Sequence, residues 1–268
     1  MQHPAEINVL GSMSIRLNGK SIVPTAGKPR QLLALLSLHC GRILPVSTLM
    51  EELWGDAIPR SASTTLQTYI LQLRRLIAET LPHGSQQSAK DLLATHFNGY
   101  QLTLAPAAFD LREFERLALL GDAALELDNP RDASVYLNEA LALWRGPALM
   151  DVPSGRVLAM EVIGMEEARM RVQEQRIMAD LHLGKNSVLI PELCRLVAQH
   201  PMHETFSALL MIAFQRSGAG WRALQAFQQL RRTLIRELGV EPSGRLQRLH
   251  QAVLSNTLDV SLQDFRAA

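Results

Sequence analysis

The chain has 268 residues, 47% of them hydrophobic and 20% charged, which is enough apolar content to bury a core and too much for disorder as the main state. Lys and Arg number 27 against 26 Asp and Glu, a formal net charge of +1, so a uniformly cationic nucleic-acid coat is excluded and any DNA contact has to use a local patch. Only two cysteines occur, Cys40 and Cys194, without paired-ligand spacing, which excludes a disulfide scaffold and a cysteine-based zinc site.

In chain order, Ile7, Val9, Met13, Ile15 and Leu17 lie in short segments with strand-like alternation. Asn18-Gly19 is a strong turn signal and Ile22 begins a return strand, so a hairpin opens the chain. From Pro29 the period changes, placing Leu32, Leu33, Leu35, Leu36 and Leu38 on a broad apolar helical face that Gly41 ends. Ser47 is positioned to cap a second short helix that Gly55 closes. A third helix runs over 61–81, where Leu66, Ile70, Leu73 and Ile77 recur at three and four positions and form a buried stripe.

Thr64, Thr65, Thr68, Tyr69, Gln72, Arg74 and Arg75 lie on the other faces of that third helix. Such side chains hydrogen-bond base edges and phosphates while the apolar stripe holds the helix against its domain. The bland alternatives remain open: Arg74 and Arg75 as solvated charges favouring the helix C-terminus, and Tyr69 as a packing residue under the following hairpin. A polar loop over 82–91 leads to 92–104, read as two strands joined near Asn98-Gly99. Three helices followed by a hairpin are the ingredients of a winged helix.

Residues 1–108 carry nine Lys or Arg against six acids, a net of +3, and residues 109–268 carry 18 against 20, a net of −2. Phosphate affinity is therefore expected in the first half alone, and it should be moderate and salt-sensitive. Residues 105–110 form a brief Ala-Pro-containing junction, after which the pattern is helix upon helix. Asp110 is placed to cap the first, Asn129-Pro130 starts the second, and a long helix follows near 156–183. Segments 187–199 with 202–217, and 219–237 with 243–256, read as two helix pairs that begin 32 positions apart, close to the tetratricopeptide period. Such pairs stack because neither hides its apolar face alone, and stacked helices offer a surface for a protein, a peptide or a second copy. Trp54 and Trp144 read as packing residues, and Trp221 as the better interface candidate.

Catalysis has no assembled cast. The sequence holds no GxxxxGK[ST], HExxH or GxSxG string. His200, His203 and Glu204 have helix-like spacing, but His200 precedes Pro201 and no further metal ligands are evident. No enzyme activity, cofactor or metal is expected. The N-terminus lacks a basic region followed by an apolar stretch, and no run approaches the roughly 20 apolar residues that cross a bilayer, so a cytoplasmic protein without a membrane partner is expected.

Several strings together carry a resemblance. They are Pro29-Arg30-Gln31-Leu32-Leu33-Ala34-Leu35-Leu36, Leu53-Trp54-Gly55-Asp56, Thr65-Leu66-Gln67-Thr68-Tyr69-Ile70 with Leu73-Arg74-Arg75-Leu76, Gly99-Tyr100, Leu143-Trp144-Arg145-Gly146-Pro147, His200-Pro201, and Glu237-Leu238-Gly239-Val240-Glu241-Pro242. Over roughly residues 5 to 256 the chain resembles the short form of the Streptomyces antibiotic regulatory protein family. The implied architecture is mixed: an N-terminal α+β winged helix-turn-helix over 1–108, then an all-α, tetratricopeptide-like bacterial transcriptional activation domain over 109–268. The implied function is a transcriptional activator that binds direct repeats in double-stranded promoter DNA, as a homodimer at least on DNA, and contacts RNA polymerase.

The same resemblance sends helix 61–80 into the major groove and brings the hairpin, with His96 and Asn98, to the minor groove or adjacent phosphates. The chain departs from the broad class in offering Leu71 and Gln72 where basic residues are frequent, and His96, Asn98 and Gln101 where an arginine is common. Those departures keep a second function in view, a non-DNA-binding adaptor or ligand-responsive protein whose helical repeats bind a protein partner.

Overall fold

The computed structural model describes residues 5–82, 85 and 87–255. The loop read over 82–91 and the helix read over 243–256 therefore fall partly outside the described residues, at His83, Gly84, Gln86 and Asn256. By its contacts the chain divides into two compact units, Met1–Arg116 with Ala142–Arg169, and Leu117–Leu141 with Met170–Ala268.

In the first unit, β1 (Ala5–Asn8), β2 (Ser14–Leu17) and β3 (Lys20–Ser21) form an opening antiparallel set, in which the return strand read from Ile22 instead ends at Ser21, directly after the Asn18-Gly19 turn. Ala5 pairs with Leu17 and Ile7 with Ile15, so the period-two apolar set Ala5, Ile7, Ile15 and Leu17 is buried on one face. Asn18 and Gly19 turn between β2 and β3 with φ of 51° and 77°, the backbone that a two-residue hairpin of type I′ demands. The junction near 105–110 proves to be a strand, β7 (Pro106–Phe109), lying parallel to β1 and completing a sheet of order β3-β2-β1-β7. Its sequence, Pro-Ala-Ala-Phe, buries only Phe109 and carries no alternation to betray it.

Between these strands lie three helices, α1 (Gly27–Leu38), α2 (Val46–Trp54) and α3 (Ala62–Ala78). Gln31, Leu32, Leu33, Ala34, Leu35 and Leu36 of α1 are all buried, so this helix is enclosed on nearly every side instead of showing one stripe. The expected cap of α2 is corrected: Pro45 occupies the N-cap position and Ser47 lies within the first turn. The physical reason is visible in the hydrogen bonds, because the Val46 amide already donates to the Asn98 carbonyl at 3.0 Å.

A second sheet of order β4-β6-β5 joins β4 (Ile43–Pro45), β5 (Leu93–His96) and β6 (Gly99–Leu102), with the short helix α4 (Ala89–Leu92) ahead of β5. Gly99 is required at its position: a Cβ there would sit 2.3 Å from the Leu44 carbonyl oxygen.

The buried Glu52 of α2, 2% exposed, accepts from Gln31 Nε2 at 2.6 Å, the Gly155 amide at 2.7 Å and the Leu158 amide at 2.8 Å. A helix-end residue of α2 thus caps the first turn of α7 (Arg156–His182) from about a hundred positions away in sequence. Asp110 also differs from expectation. It opens α5 (Asp110–Glu126), but its carboxylate accepts from the Val9 and Leu10 amides at 2.9 to 3.1 Å and from Arg145 at 2.8 Å. Trp144 packs edge-on against Phe114 with centroids 5.5 Å apart, and the Arg169 guanidinium lies over its ring. Trp144 is therefore a packing residue, as read, while Arg145 and Pro147 of the same string are exposed.

The second unit holds α6 (Pro130–Ala142), α8 (Asn186–Gln199), α9 (Glu204–Arg216), α10 (Gly220–Leu238) and α11 (Gly244–Leu254), with the adjoining parts of α5 and α7. The two helix pairs begin at Asn186 and Gly220, 34 positions apart. Their shared core runs through Leu193, Phe206, Leu209, Phe227, Leu230 and Leu249. His203 caps α9 through the Phe206 amide and lies 3.1 Å from Glu174, while Glu204 accepts from the Ser243 amide at 2.9 Å. The histidine and glutamate spacing noted at 200–204 is therefore helix-junction chemistry. Among the described residues no group of three or more His, Cys, Asp or Glu side chains is arranged to hold a metal ion.

Beneath this layer, Asp180 accepts from Ser134 Oγ and Lys185 Nζ, each at 2.7 Å, and from Arg176, which also pairs with Glu192. Burial works to raise the Asp180 carboxyl. The hydrogen bonds and charges around it outweigh burial and hold it below the ordinary carboxylate range.

Candidate nucleic-acid interface

Helix α3 is fixed by Ala62, Leu66, Ile70, Leu73 and Ile77, all buried. The residues turned away from that stripe are set by the same period. Thr64, Thr68, Leu71 and Arg75 recur at four, three and four positions and are all exposed, with Gln72 exposed beside them. They make one continuous face along the helix, with hydroxyls toward its N-terminal end, a leucine in the middle and a guanidinium toward its C-terminal end.

The Thr65 and Thr68 hydroxyls donate to the Ser61 and Thr64 carbonyls at 3.0 Å, which leaves their oxygens free to accept. Thr65 is half-buried at the margin of the face. No acidic residue stands in the first turn of α3 and Arg60 is exposed just before it, so the positive helix end and a cation lie together.

The two arginines part company. Arg75 is exposed, whereas Arg74 is half-buried and turned toward the hairpin. Arg74 donates from Nε and Nη2 to the Leu93 carbonyl at 2.9 and 2.7 Å, and from Nη2 to Thr95 Oγ1 at 2.7 Å. Its guanidinium clamps β5 to α3, a role that helical spacing alone does not reveal. Tyr69 is half-buried and stacks on Trp54 of α2, centroids 6.5 Å apart and planes 14° from parallel, with Lys28 Nζ 4.9 Å from the centre of the same indole. Trp54 is thus only partly enclosed, in a cation–aromatic–aromatic stack at the side of α3.

On the hairpin, His96 bonds Gln101 Oε1 at 2.9 Å, and Gln101 Nε2 in turn donates to the Gly41 carbonyl at 2.8 Å. Asn98 sits in the turn between β5 and β6, its side chain exposed. Phe97 beside it in the same turn is wholly exposed, a residue that the amino-acid pattern did not single out. The structure thus brings Thr64, Thr68, Gln72 and Arg75 onto one face, assigns Arg74 and Tyr69 internal partners, and leaves Asn98 at the exposed hairpin tip.

Residues 109–254 match the family described as the bacterial transcriptional activator domain, and residues 19–102 match the family described as transcriptional regulatory protein, C terminal. The Regulatory protein DnrI of Streptomyces peucetius is 50% identical over 249 residues, covering 93% of this chain and 92% of the relative. The Transcriptional regulator RedD of Streptomyces coelicolor is 35% identical over 250 residues, covering 93% of this chain and 70% of the relative. Among solved structures, Mycobacterium tuberculosis EmbR in complex with a low-affinity phosphopeptide superposes with a TM-score of 0.87 at 25% identity, over 99% of this chain and 69% of that one.

Proposed function

The chain belongs to the Streptomyces antibiotic regulatory protein family, a family of DNA-binding transcriptional regulators, and on that premise we propose that it activates promoters by reading direct repeats as a pair of subunits and contacting RNA polymerase. The observation that carries the reading is the exposed face of α3, where polar side chains and Arg75 stand opposite the buried stripe. Residues 1–108 supply DNA binding in this account and residues 109–268 the activating contacts, within the cytoplasm. Thr64, Thr68 and Gln72 address base edges, Arg75 addresses a phosphate or a guanine, and the hairpin with His96 and Asn98 lies along the neighbouring backbone. Thr65 lies at the margin of that surface, and Arg74 and Tyr69 beside it tie α3 to β5 and to Trp54.

Selection of bound duplexes from a randomised library by the purified full-length protein, near physiological salt, tests this directly. A recovered direct repeat whose affinity falls as salt rises supports DNA reading and gives the subunit spacing. Failure of folded protein to enrich any sequence, beside a DNA-binding control that does, refutes it.

A second reading, an adaptor whose repeats bind a protein or small ligand, draws on one feature of the second unit. A groove of about 510 Å³ between α8, α9 and α10 has an apolar floor including Val197, Leu210, Phe214 and Leu230, with Arg222 and Gln229 at its polar side. Enrichment of no DNA together with saturable partner binding in that groove would favour it.

A further inference from the structure

Leu71 is the odd residue on the face just described. It is 61% exposed, in a helix whose apolar needs are already met by five buried residues, and it lies at the centre of the line Thr64, Thr68, Leu71, Arg75. Burying Leu71 against its own domain is ruled out by the helical period, because it points away from Leu66, Ile70, Leu73 and Ile77. A hydroxyl row and a guanidinium flanking it disfavour a dry protein contact at that spot, since docking an apolar partner there would strip water from Thr68, Gln72 and Arg75.

A duplex major groove meets all of these neighbours at once. It presents acceptors to Arg75 and Gln72, and it carries one apolar group at base level, the C5-methyl of thymine. Leucine has no donor or acceptor, so within that groove its favourable contact is with that methyl. We propose that Leu71 is a specificity-determining residue that packs on a thymine C5-methyl in each half-site, an assignment that rests on the DNA-binding reading above. The departure from a basic residue at this position then exchanges a phosphate or guanine contact for selection of A·T at one base pair.

The test uses the full-length protein and a duplex recovered by the library selection. Each thymine of a half-site is replaced singly by deoxyuridine, which removes only the methyl group and keeps base pairing, and affinity is read by fluorescence anisotropy. At one position the wild-type protein is expected to lose about fourfold in affinity, corresponding to about 0.8 kcal/mol for one buried methyl-sized group at about 1.4 kcal/mol per tenfold. Leu71→Ala is expected to bind the thymine and deoxyuridine duplexes alike at that position, and Leu71→Met to restore a preference for thymine.

Because Leu71 is exposed, the alanine variant keeps the wild-type fold, and equal melting temperatures check this. Sequence-selective binding that is indifferent to deoxyuridine at every position, or an alanine variant that keeps the wild-type sensitivity, overturns the contact while leaving the DNA-binding reading intact. Absence of selective binding by the wild-type protein overturns both.

Discussion

Replacing Arg74 and Arg75 by alanine, one at a time, should produce opposite signatures although the two are neighbours in sequence. Arg74→Ala removes three donated hydrogen bonds, two of them to the carbonyl of the fully buried Leu93. Hydrogen bonds from a charged group contribute about 1.5–3 kcal/mol net, and because two of these share one acceptor and the third reaches an exposed hydroxyl, about 2 kcal/mol is expected for the set. For a protein of this size about 2–4 °C follows each kcal/mol, so the melting transition of the first unit should fall by about 4–8 °C. Arg75→Ala touches an exposed side chain and should change stability by no more than about 0.5 kcal/mol. Its effect belongs to DNA: loss of one phosphate contact should reduce the slope of log affinity against log salt by about 0.9 per subunit. Circular dichroism melts and anisotropy titrations across salt separate the two. If Arg74→Ala melts with the wild-type protein while its salt slope falls by about one, Arg74 is a phosphate ligand and the clamp on β5 does not operate in solution.

Three further substitutions probe the framework of the two units, Glu52 and Gly99 in the first and Asp180 in the second. Glu52→Ala strands the Gly155 and Leu158 backbone amides, while Gln31 keeps its bond to the carbonyl of residue 52, and should lower stability by about 2 kcal/mol or more in urea unfolding followed by tryptophan fluorescence, since each buried unpaired group costs about 1–3 kcal/mol; a loss below about 1 kcal/mol contradicts the capping role. Gly99→Ala places a Cβ against the Leu44 carbonyl and should separate β4 from β6 at a cost of about 1–3 kcal/mol, visible as faster amide exchange at Tyr100, and unchanged exchange there would disprove the close approach. Asp180 has a folded pKa below its unfolded value near about 3.9, so its stabilising contribution is full above that value and disappears as pH falls through the lower, folded pKa. The stability gap between wild type and Asp180→Asn should therefore narrow as pH is taken from about 5 toward 2 in urea titrations. A gap that stays constant across that range would show that the carboxylate charge is not what Ser134, Lys185 and Arg176 hold.

What could be read from the amino acids alone was whatever a local period encodes. The stripe of α3 and the turn at Asn18-Gly19 follow from spacing within twenty residues, and the helix pairs, read from 187 and 219 and found from Asn186 and Gly220, follow from a repeat of similar helix-turn-helix segments. Features that depend on a partner far along the chain were not. Strand β7 exists because β1 offers it an edge about a hundred residues away, and Pro-Ala-Ala-Phe carries no alternation of its own. Asp110 faces Val9, Leu10 and Arg145 for the same reason, and Glu52 in α2 looks like an ordinary helix-end acid until the amides of Gly155 and Leu158 are brought to it.

The candidate interface divides along the same line. Helical spacing places Thr64, Thr68, Gln72 and Arg75 on the outer face, because for short side chains and for a residue squarely opposite the buried stripe, position determines exposure. Arg74 lies at the boundary of that stripe, where a long flexible side chain can turn either to solvent or back to the strand, and only the tertiary placement of Leu93 decides it. Phe97 shows the converse. It stands with Asn98 in the two-residue turn that the His96–Gly99 pair closes between β5 and β6, and its exposure follows from that register rather than from the residue type.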